Sequence, residues 1–134
     1  MSKDEYVKKH FPEIEPGVVP CGPKILVQLR TVKEKTAGGI LLPEETKEFN
    51  NGNTQLARVV RLGSIAFRNR ETGNLWKEGV WAQVGDIVII PRWGGFRFEI
   101  PIPESDDKAI FAVFDDTNVQ MVVHGNFESL DKLL

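Results

Sequence analysis

The sequence predicts an all-β fold, a small barrel or sandwich, from three observations. Short apolar or alternating segments recur along the chain, turn-forming residues separate them, and no long helical period competes with them. The predicted strands are Ile25–Leu29, Leu56–Leu62, Asp86–Pro91, Phe96–Ile100, Ala109–Phe114 and Val119–Val123. Several short strands at this spacing are typical of a barrel or sandwich.

Two of these segments alternate between apolar and polar residues, as half-buried strands do. The residues predicted to share a buried side are Phe96, Phe98 and Ile100 in one segment, and Val119, Met121 and Val123 in the other. Among the remaining segments, Ile25–Leu29 is a compact apolar run.

Length and composition indicate one soluble domain. The chain has 134 residues, 41% of them hydrophobic, and a formal net charge of -2. No apolar run approaches the roughly 20 residues that a membrane span needs, and the first residues lack the apolar stretch of a secretory signal. The single cysteine, Cys21, excludes an intrachain disulfide and a cysteine-cluster zinc site. We therefore expect a cytoplasmic protein.

The two ends of the chain are predicted to be extensions of this domain. In residues 1–22, Ser2 and Glu5 form a capping-box pattern that predicts a short helix. Several prolines and glycines follow and predict an extended arm up to Pro23. The tail comprises residues 124–134, and its part from Phe127 to Leu134 is predicted to form one helical turn.

The long connection at residues 31–54 does not fit a compact barrel, because so long a loop is usually functional or disordered. It contains the apolar triplet Ile40, Leu41 and Leu42, preceded by Gly38-Gly39. Two interpretations stay open from the residues alone. The triplet is either a short core or edge strand, or an apolar anchor on a flexible tether that becomes ordered on binding a partner.

The segment at residues 65–83 is predicted to contain a hairpin with its tip at 71–74. Phe67, Trp76 and Trp81 flank this tip. These aromatic side chains either pack into the domain or shape a surface that the hairpin presents.

A set of aromatic and arginine residues raises the alternative of a small β-barrel nucleic-acid-binding module, in which bases stack and phosphates are neutralised. Its members are Arg58, Arg61, Phe67, Arg68, Arg70, Trp76, Trp81, Arg92, Trp93, Phe96, Arg97 and Phe98. The favoured interpretation is that the phenylalanines fill the core and the arginines are solvated. The net negative charge opposes a phosphate track.

The sequence gives almost no support to catalysis. The acidic pairs Asp106-Asp107 and Asp115-Asp116 lie in turns, where aspartate is favoured for hydrogen bonding to the backbone. His10, His124 and Cys21 lack a nucleophile motif, and no phosphate loop or dinucleotide signature is present. We expect no catalytic residue, no metal and no cofactor.

The order of several motifs resembles the GroES-type co-chaperonins, or chaperonin-10 family, over roughly residues 23–123. The segments that carry the resemblance are Pro23-Lys24-Ile25-Leu26-Val27, Thr36-Ala37-Gly38-Gly39-Ile40-Leu41-Leu42-Pro43, Ala57-Arg58-Val59-Val60-Arg61-Leu62-Gly63, Val84-Gly85-Asp86-Ile87-Val88-Ile89-Ile90, Gly94-Gly95 and Ala109-Ile110-Phe111-Ala112-Val113. The most specific of these is Ala-Gly-Gly-Ile-Leu-Leu-Pro in the loop after the first strand.

The resemblance implies a partly open β-barrel subunit with a long mobile loop and a roof hairpin. Such subunits form a heptameric ring that caps an ATP-driven, GroEL-type chaperonin and encloses a client protein, while the partner binds the nucleotide. Ile40, Leu41 and Leu42 would dock on the chaperonin, with Gly38 and Gly39 as the loop hinge. The roof would correspond to part of 65–83 and would include Phe67, Trp76 and Trp81.

The extensions depart from the family pattern. Terminal strands of neighbouring subunits pair in this family, so the long arm at 1–22 and the tail at 124–134 bear on the ring contact. The segment that would correspond to the roof is also longer and more aromatic than the family's. Such divergence resembles virus-encoded co-chaperonins, which would place the protein in the host cytoplasm.

Overall fold

The computed structural model describes residues 2–30, 54–91 and 94–133, which form a mostly β structure with short helices at both ends. The elements are α1 (Lys3–His10), β1 (Lys24–Leu29), β2 (Thr54–Leu62), β3 (Ile87–Pro91), β4 (Phe96–Pro101), β5 (Lys108–Asp115), a 3-10 helix (Asp116–Asn118), β6 (Met121–Val123) and α2 (Phe127–Leu133). Each predicted strand corresponds to an observed one, so the predicted fold class is confirmed.

The strands form one six-stranded sheet in the order β4-β5-β1-β2-β3-β6. Every neighbouring pair is antiparallel. β4 and β6 are the two edges and do not pair with each other in the described part of the chain. The sheet therefore forms the partly open barrel expected of a GroES-like fold.

The main core lies on one face of this sheet and draws residues from the four central strands. Its strand residues include Ile25, Val27, Leu29, Ala57, Val59, Val88, Ile90, Ala112 and Phe114. Ala66, Phe67 and Ala82, from the connection between β2 and β3, and Val119 complete it. Because these residues come from segments distant in sequence, their burial requires the whole sheet to be formed.

The second face of the sheet carries two further apolar clusters that the N-terminal segment covers. One cluster combines α1 and Phe11 with β3, β6 and Phe127. The other packs Ile14 of the arm against Leu26 and Phe111. This arrangement explains the compact apolar run of β1, since its residues enter the main core on one face and pack with the arm on the other.

The first helix begins at the predicted capping residue. The Ser2 side chain accepts a hydrogen bond from the Glu5 backbone N–H at 3.2 Å, which satisfies one of the free donors at the helix start. Tyr6 is the buried residue of α1. Among the described helices, none is both long enough and apolar enough to cross a membrane.

The two alternating segments differ from the prediction at three residues: Val119 lies outside the strand, and Met121 and Phe96 are exposed. Val119 precedes β6, because its N–H bonds to Asp116 in the 3-10 turn and its side chain enters the main core. Met121 is 56% exposed and Phe96 is 69% exposed. An edge strand has a neighbour on one side only, so its side chains gain less cover than the period alone suggests.

Candidate functional site

The β1–β2 pair separates the two segments that the sequence singled out for function. At one end of the pair, the Arg30 N–H donates to the Leu56 carbonyl at 3.2 Å, and β2 begins at Thr54. The chain between Arg30 and Thr54 therefore leaves and returns at this end. The segment after Leu62 lies at the other end of β2, nine residues away, which is about 30 Å at roughly 3.3 Å per residue.

The residues predicted to dock on a partner, Ile40, Leu41 and Leu42, lie outside the described residues. The predicted hinge glycines, Gly38 and Gly39, lie outside them as well. What the structure gives is the place where that segment is attached, at two adjacent strands of the sheet.

The segment at 65–83 contains a short hairpin whose tip is at 71–74, as the turn residues predict. Arg68 and Leu75 form a β-bridge, and the Asn69 N–H donates to the Asn74 carbonyl at 2.7 Å. The Asn69 side chain accepts from the Glu71 N–H at 2.8 Å, which closes the turn in the manner typical of asparagine. We call residues 65–83 the connecting hairpin.

A buried carboxylate anchors the base of the connecting hairpin to the barrel. Asp116 is 1% exposed, and one of its oxygens accepts from the Phe67 N–H at 2.7 Å. The other oxygen lies 3.4 Å from the Arg70 guanidinium. Phe67 adopts a φ of 65°, which is uncommon for a bulky residue. The anchor thus holds the chain where the hairpin leaves the sheet.

The structure brings two of the three predicted hairpin aromatics together and leaves the third at the surface. Phe67 is fully buried, and Trp81 packs edge-on against it with ring centroids 4.4 Å apart. Trp76 is 37% exposed, and its neighbours Leu75 and Val80 are also exposed. Phe67 and Trp81 therefore serve packing, whereas Trp76 belongs to the outer surface of the hairpin.

Sequence reasoning gave Asp116 only a general turn role and did not link it to the hairpin. An aspartate in a turn indicates a backbone hydrogen bond, but the donor is 49 residues away in the chain. The buried Gln28 was also missed. Its side-chain amide donates to the Pro12 carbonyl at 2.8 Å, and its oxygen accepts from Arg58 at 3.2 Å. A polar residue within an apolar strand was the available signal.

The N-terminal arm is also fixed at Arg61. A single guanidinium nitrogen of Arg61 lies 2.8 Å from both carboxylate oxygens of Glu15, and the same side chain donates to the Val18 carbonyl at 3.3 Å. The Arg61 hydrogen bond, together with one from the Gly17 N–H, lowers the pKa of Glu15 below its ordinary value. Together with Gln28, this contact holds the arm across the second face of the sheet.

Within the described part of the chain, the residues considered for nucleic-acid binding do not form one exposed aromatic and basic track. Phe98 stacks on Phe111 at 5.5 Å, Arg61 pairs with Glu15, and Arg70 faces Asp116. Arg92 and Trp93 lie outside the described residues. Most of the described members pack or form ion pairs within the chain, so their side chains stabilise the fold.

The residues considered for catalysis or metal binding are likewise separated. His10 lies against the Tyr6 ring at 4.6 Å, and Cys21 is exposed in the arm. Asp115 pairs with Lys24 at 2.6 Å, a contact that lowers the pKa of this carboxyl. Within the described ranges, no group of His, Cys, Asp and Glu side chains is arranged to hold a metal ion.

Comparison with known proteins places this architecture in a family. The family model described as "Chaperonin 10 Kd subunit" matches residues 17–123. A "Co-chaperonin GroES" from Listeria monocytogenes serotype 4b is 33% identical over 76 residues, which is 57% of this chain and 72% of the relative.

Two other relatives align over longer stretches. The "Co-chaperonin GroES" of Methylacidiphilum infernorum is 27% identical over 84% of this chain and 99% of the relative. The mouse "10 kDa heat shock protein, mitochondrial" is 32% identical over 75% of this chain and 85% of the relative. The family model covers residues 17–123, and the partly open barrel agrees with it. The chain therefore belongs to the chaperonin 10 Kd subunit family.

Proposed function

We propose that this protein is a co-chaperonin whose subunits form a seven-membered ring that acts as the lid of a GroEL-type chaperonin. The single observation that carries the proposal is the placement of two segments at opposite ends of the β1–β2 pair. The segment containing Ile40, Leu41 and Leu42 is attached at one end, and the connecting hairpin is attached at the other. A lid needs this polarity, because it grips its partner below and closes the chamber above.

In this proposal the apolar triplet docks on the chaperonin, and Gly38 and Gly39 act as its hinge. Burying three aliphatic side chains contributes about 1.5–3 kcal/mol each, whereas fixing the loop costs about 2–5 kcal/mol or more. Association itself costs several kcal/mol further. One loop alone therefore binds weakly.

A ring resolves this weakness by presenting several identical loops. Once one loop is bound, the next contacts become intramolecular and raise the avidity by about 10²–10⁴. Multivalent binding also allows release, because a modest loss of binding free energy at each site of the partner is repeated at every loop of the ring. The proposed lid binds no nucleotide of its own and is not an enzyme.

The proposed ring contact uses the chain segments that the family resemblance implies. β6 is an edge strand with Met121 exposed. Val18 and Val19 of the extended arm are exposed as well, at 44% and 70%. An extended apolar segment and an open strand edge are complementary partners for strand addition. In the proposal, this segment of one subunit pairs with β6 of the next.

The connecting hairpin forms the roof in this proposal, and a client protein folds beneath it in the cytoplasm. Trp76 is the roof aromatic whose exposure leaves it available to shape the crown. Phe67 and Trp81 support the roof from within the core. The nucleic-acid alternative gains no support from the family match, and a viral origin stays a prediction.

Two measurements on the purified chain test the proposal. Native mass spectrometry should give a seven-subunit mass, and a GroEL-type chaperonin should retain the ring in the presence of nucleotide and release it without. A monomer at micromolar concentration that never binds the chaperonin would refute the proposal. Steep salt-dependent retention on single-stranded DNA would instead favour the nucleic-acid alternative.

A further inference from the structure

The two ends of the chain meet in one apolar cluster. Most of both ends lies outside the family match at residues 17–123. Tyr6 of α1 stacks on Phe127 of α2, with ring centroids 5.3 Å apart and planes 23° from parallel. Tyr6 is 1% exposed and Phe127 is 4% exposed. The two extensions therefore form one packed unit. We call α1, Phe11 and α2 the terminal clasp.

The terminal clasp packs directly on the edge strand β6. Val123 of β6 is 6% exposed and belongs to the same cluster as Tyr6 and Phe127. β6 has only three residues, and in the described part of the chain it pairs with β3 alone. So short an edge strand gains little from backbone pairing and opens easily unless its side chains are held.

The aromatic contacts hold the clasp together, and the clasp meets the sheet through Leu56, Ile87, Ile89 and Val123 of the same cluster. At the start of α1, Lys3 lies 3.5 Å from Asp86, just before β3, but both side chains are partly exposed. Such exposed ion pairs contribute little. Stacked aromatic rings, by contrast, add to the stabilisation that comes from burying their area. Tyr6 also contacts Phe11 edge-on at 6.0 Å, so it lies at the centre of the clasp.

We propose that the terminal clasp is a positioning device that keeps β6 ordered as an open edge for a neighbouring copy of this chain. The inference rests on the proposed ring, in which β6 is part of the subunit contact. Tyr6 is buried, so it acts through β6 and not by touching the neighbour. Met121, on the same strand, remains 56% exposed and faces outward for that contact.

The test compares three variants of the full-length chain. Tyr6→Leu removes the ring stack but keeps an apolar side chain, and Tyr6→Phe keeps an aromatic ring at this position. Lys8→Ala changes an exposed residue of the same helix. The readouts are hydrogen exchange of the β6 amides, exchange of the β1 and β2 amides, and the concentration at which half of the ring dissociates.

Tyr6→Leu should speed β6 exchange and raise the half-dissociation concentration by about tenfold each, as expected for loss of one aromatic stack. The β1 and β2 amides should keep their wild-type exchange, and Lys8→Ala should behave as wild type. Tyr6→Phe keeps the ring, so it should change β6 exchange and ring dissociation less than Tyr6→Leu does. Phe127→Leu should reproduce the Tyr6→Leu pattern and serves as the second variant if Tyr6→Leu does not fold.

Unchanged β6 exchange in both leucine variants would overturn the inference. So would an equal rise in exchange over β1, β2 and β6, which would show a merely global role. A wild-type chain that stays monomeric at every concentration would refute the proposed ring and this use of β6. In that case β6 exchange would still show whether the clasp orders the strand.

Discussion

The carboxylate of Asp116 accepts a hydrogen bond of 2.7 Å from the backbone N–H of Phe67, although 49 residues separate them in the chain. The contact joins the 3-10 helix after β5 to the base of the connecting hairpin. Because Asp116 is 1% exposed, water cannot easily replace either partner. A buried side chain thus fixes the backbone at the base of the hairpin.

Replacing Asp116 with alanine should therefore destabilise the chain by about 1–3 kcal/mol, the cost of leaving a buried donor unsatisfied. Urea unfolding followed by circular dichroism measures this loss. Asp106→Ala, at an exposed turn position, is the matched control and should change stability by less than about 0.5 kcal/mol. Equal stability of the two variants would contradict the anchoring role of Asp116.

Phe67 and Trp76 of the connecting hairpin should differ sharply in their effect on stability. Phe67 is fully buried against Trp81, so Phe67→Ala should cost about 3–5 kcal/mol. Trp76 is 37% exposed, and Trp76→Ala should cost well under about 2 kcal/mol because little area is lost. Thermal unfolding of both variants measures the difference. A larger loss for Trp76→Ala would mean that the hairpin packs differently.

The arm contact at Arg61 should make stability depend on pH. The pKa of Glu15 is held below its ordinary value of 4.5 by the Arg61 hydrogen bond. A carboxyl with a lowered folded-state pKa stabilises the fold above its ordinary pKa and loses that contribution as the pH falls through the folded value.

Glu15→Gln should thus lower the melting temperature near neutral pH. Its difference from wild type should shrink once the pH falls below about 4.5 and vanish below the lowered folded-state pKa. Melting curves across this range are the measurement. Glu13→Gln, at another exposed arm position, is the control and should follow wild type throughout. A constant difference between Glu15→Gln and wild type at every pH would rule out the Arg61 contact as its source.

The close approach between the chain at Gly95, just before β4, and β5 can be tested by the substitution Gly95→Ala. The φ of Gly95 is +72°, and an added Cβ would lie 2.7 Å from the Val113 carbonyl oxygen. Gly79 has a φ of +78° with no atom near its added Cβ. Gly79→Ala should cost about 1–2 kcal/mol for the left-handed backbone. Gly95→Ala should cost about 1–3 kcal/mol more for the clash. Equal urea midpoints would show that the strands can separate to accept the methyl group.

The strands were predictable because their signals are local. Ile25–Leu29 is an apolar run and Phe96–Ile100 alternates, and both became strands. The alternation failed at Met121 and Phe96 because exposure at an edge depends on which strands neighbour it, and strand order is not written in any one segment. The capping box at Ser2 is again a local signal, and the observed cap confirms it.

The contacts that organise the candidate site were not predictable, because each joins distant parts of the chain. Gln28 meets Pro12 over the second face, and Asp116 meets Phe67 at the hairpin base. Both are polar side chains whose partners are backbone groups, and any backbone group offers the same chemistry. The sequence therefore shows that such residues need a partner, but only the folded sheet shows which one.

The most direct measurement of the central claim is chaperonin binding by a Leu41→Asp ring. Placing a charge in an apolar contact is unfavourable, and the ring repeats the loss at every loop. The variant should therefore remain a folded ring by circular dichroism and native mass, yet lose nucleotide-dependent retention by a GroEL-type chaperonin. Leu75→Asp makes the same change at an exposed hairpin leucine and should bind as wild type does. A folded Leu41→Asp ring that still caps the chaperonin would contradict the account.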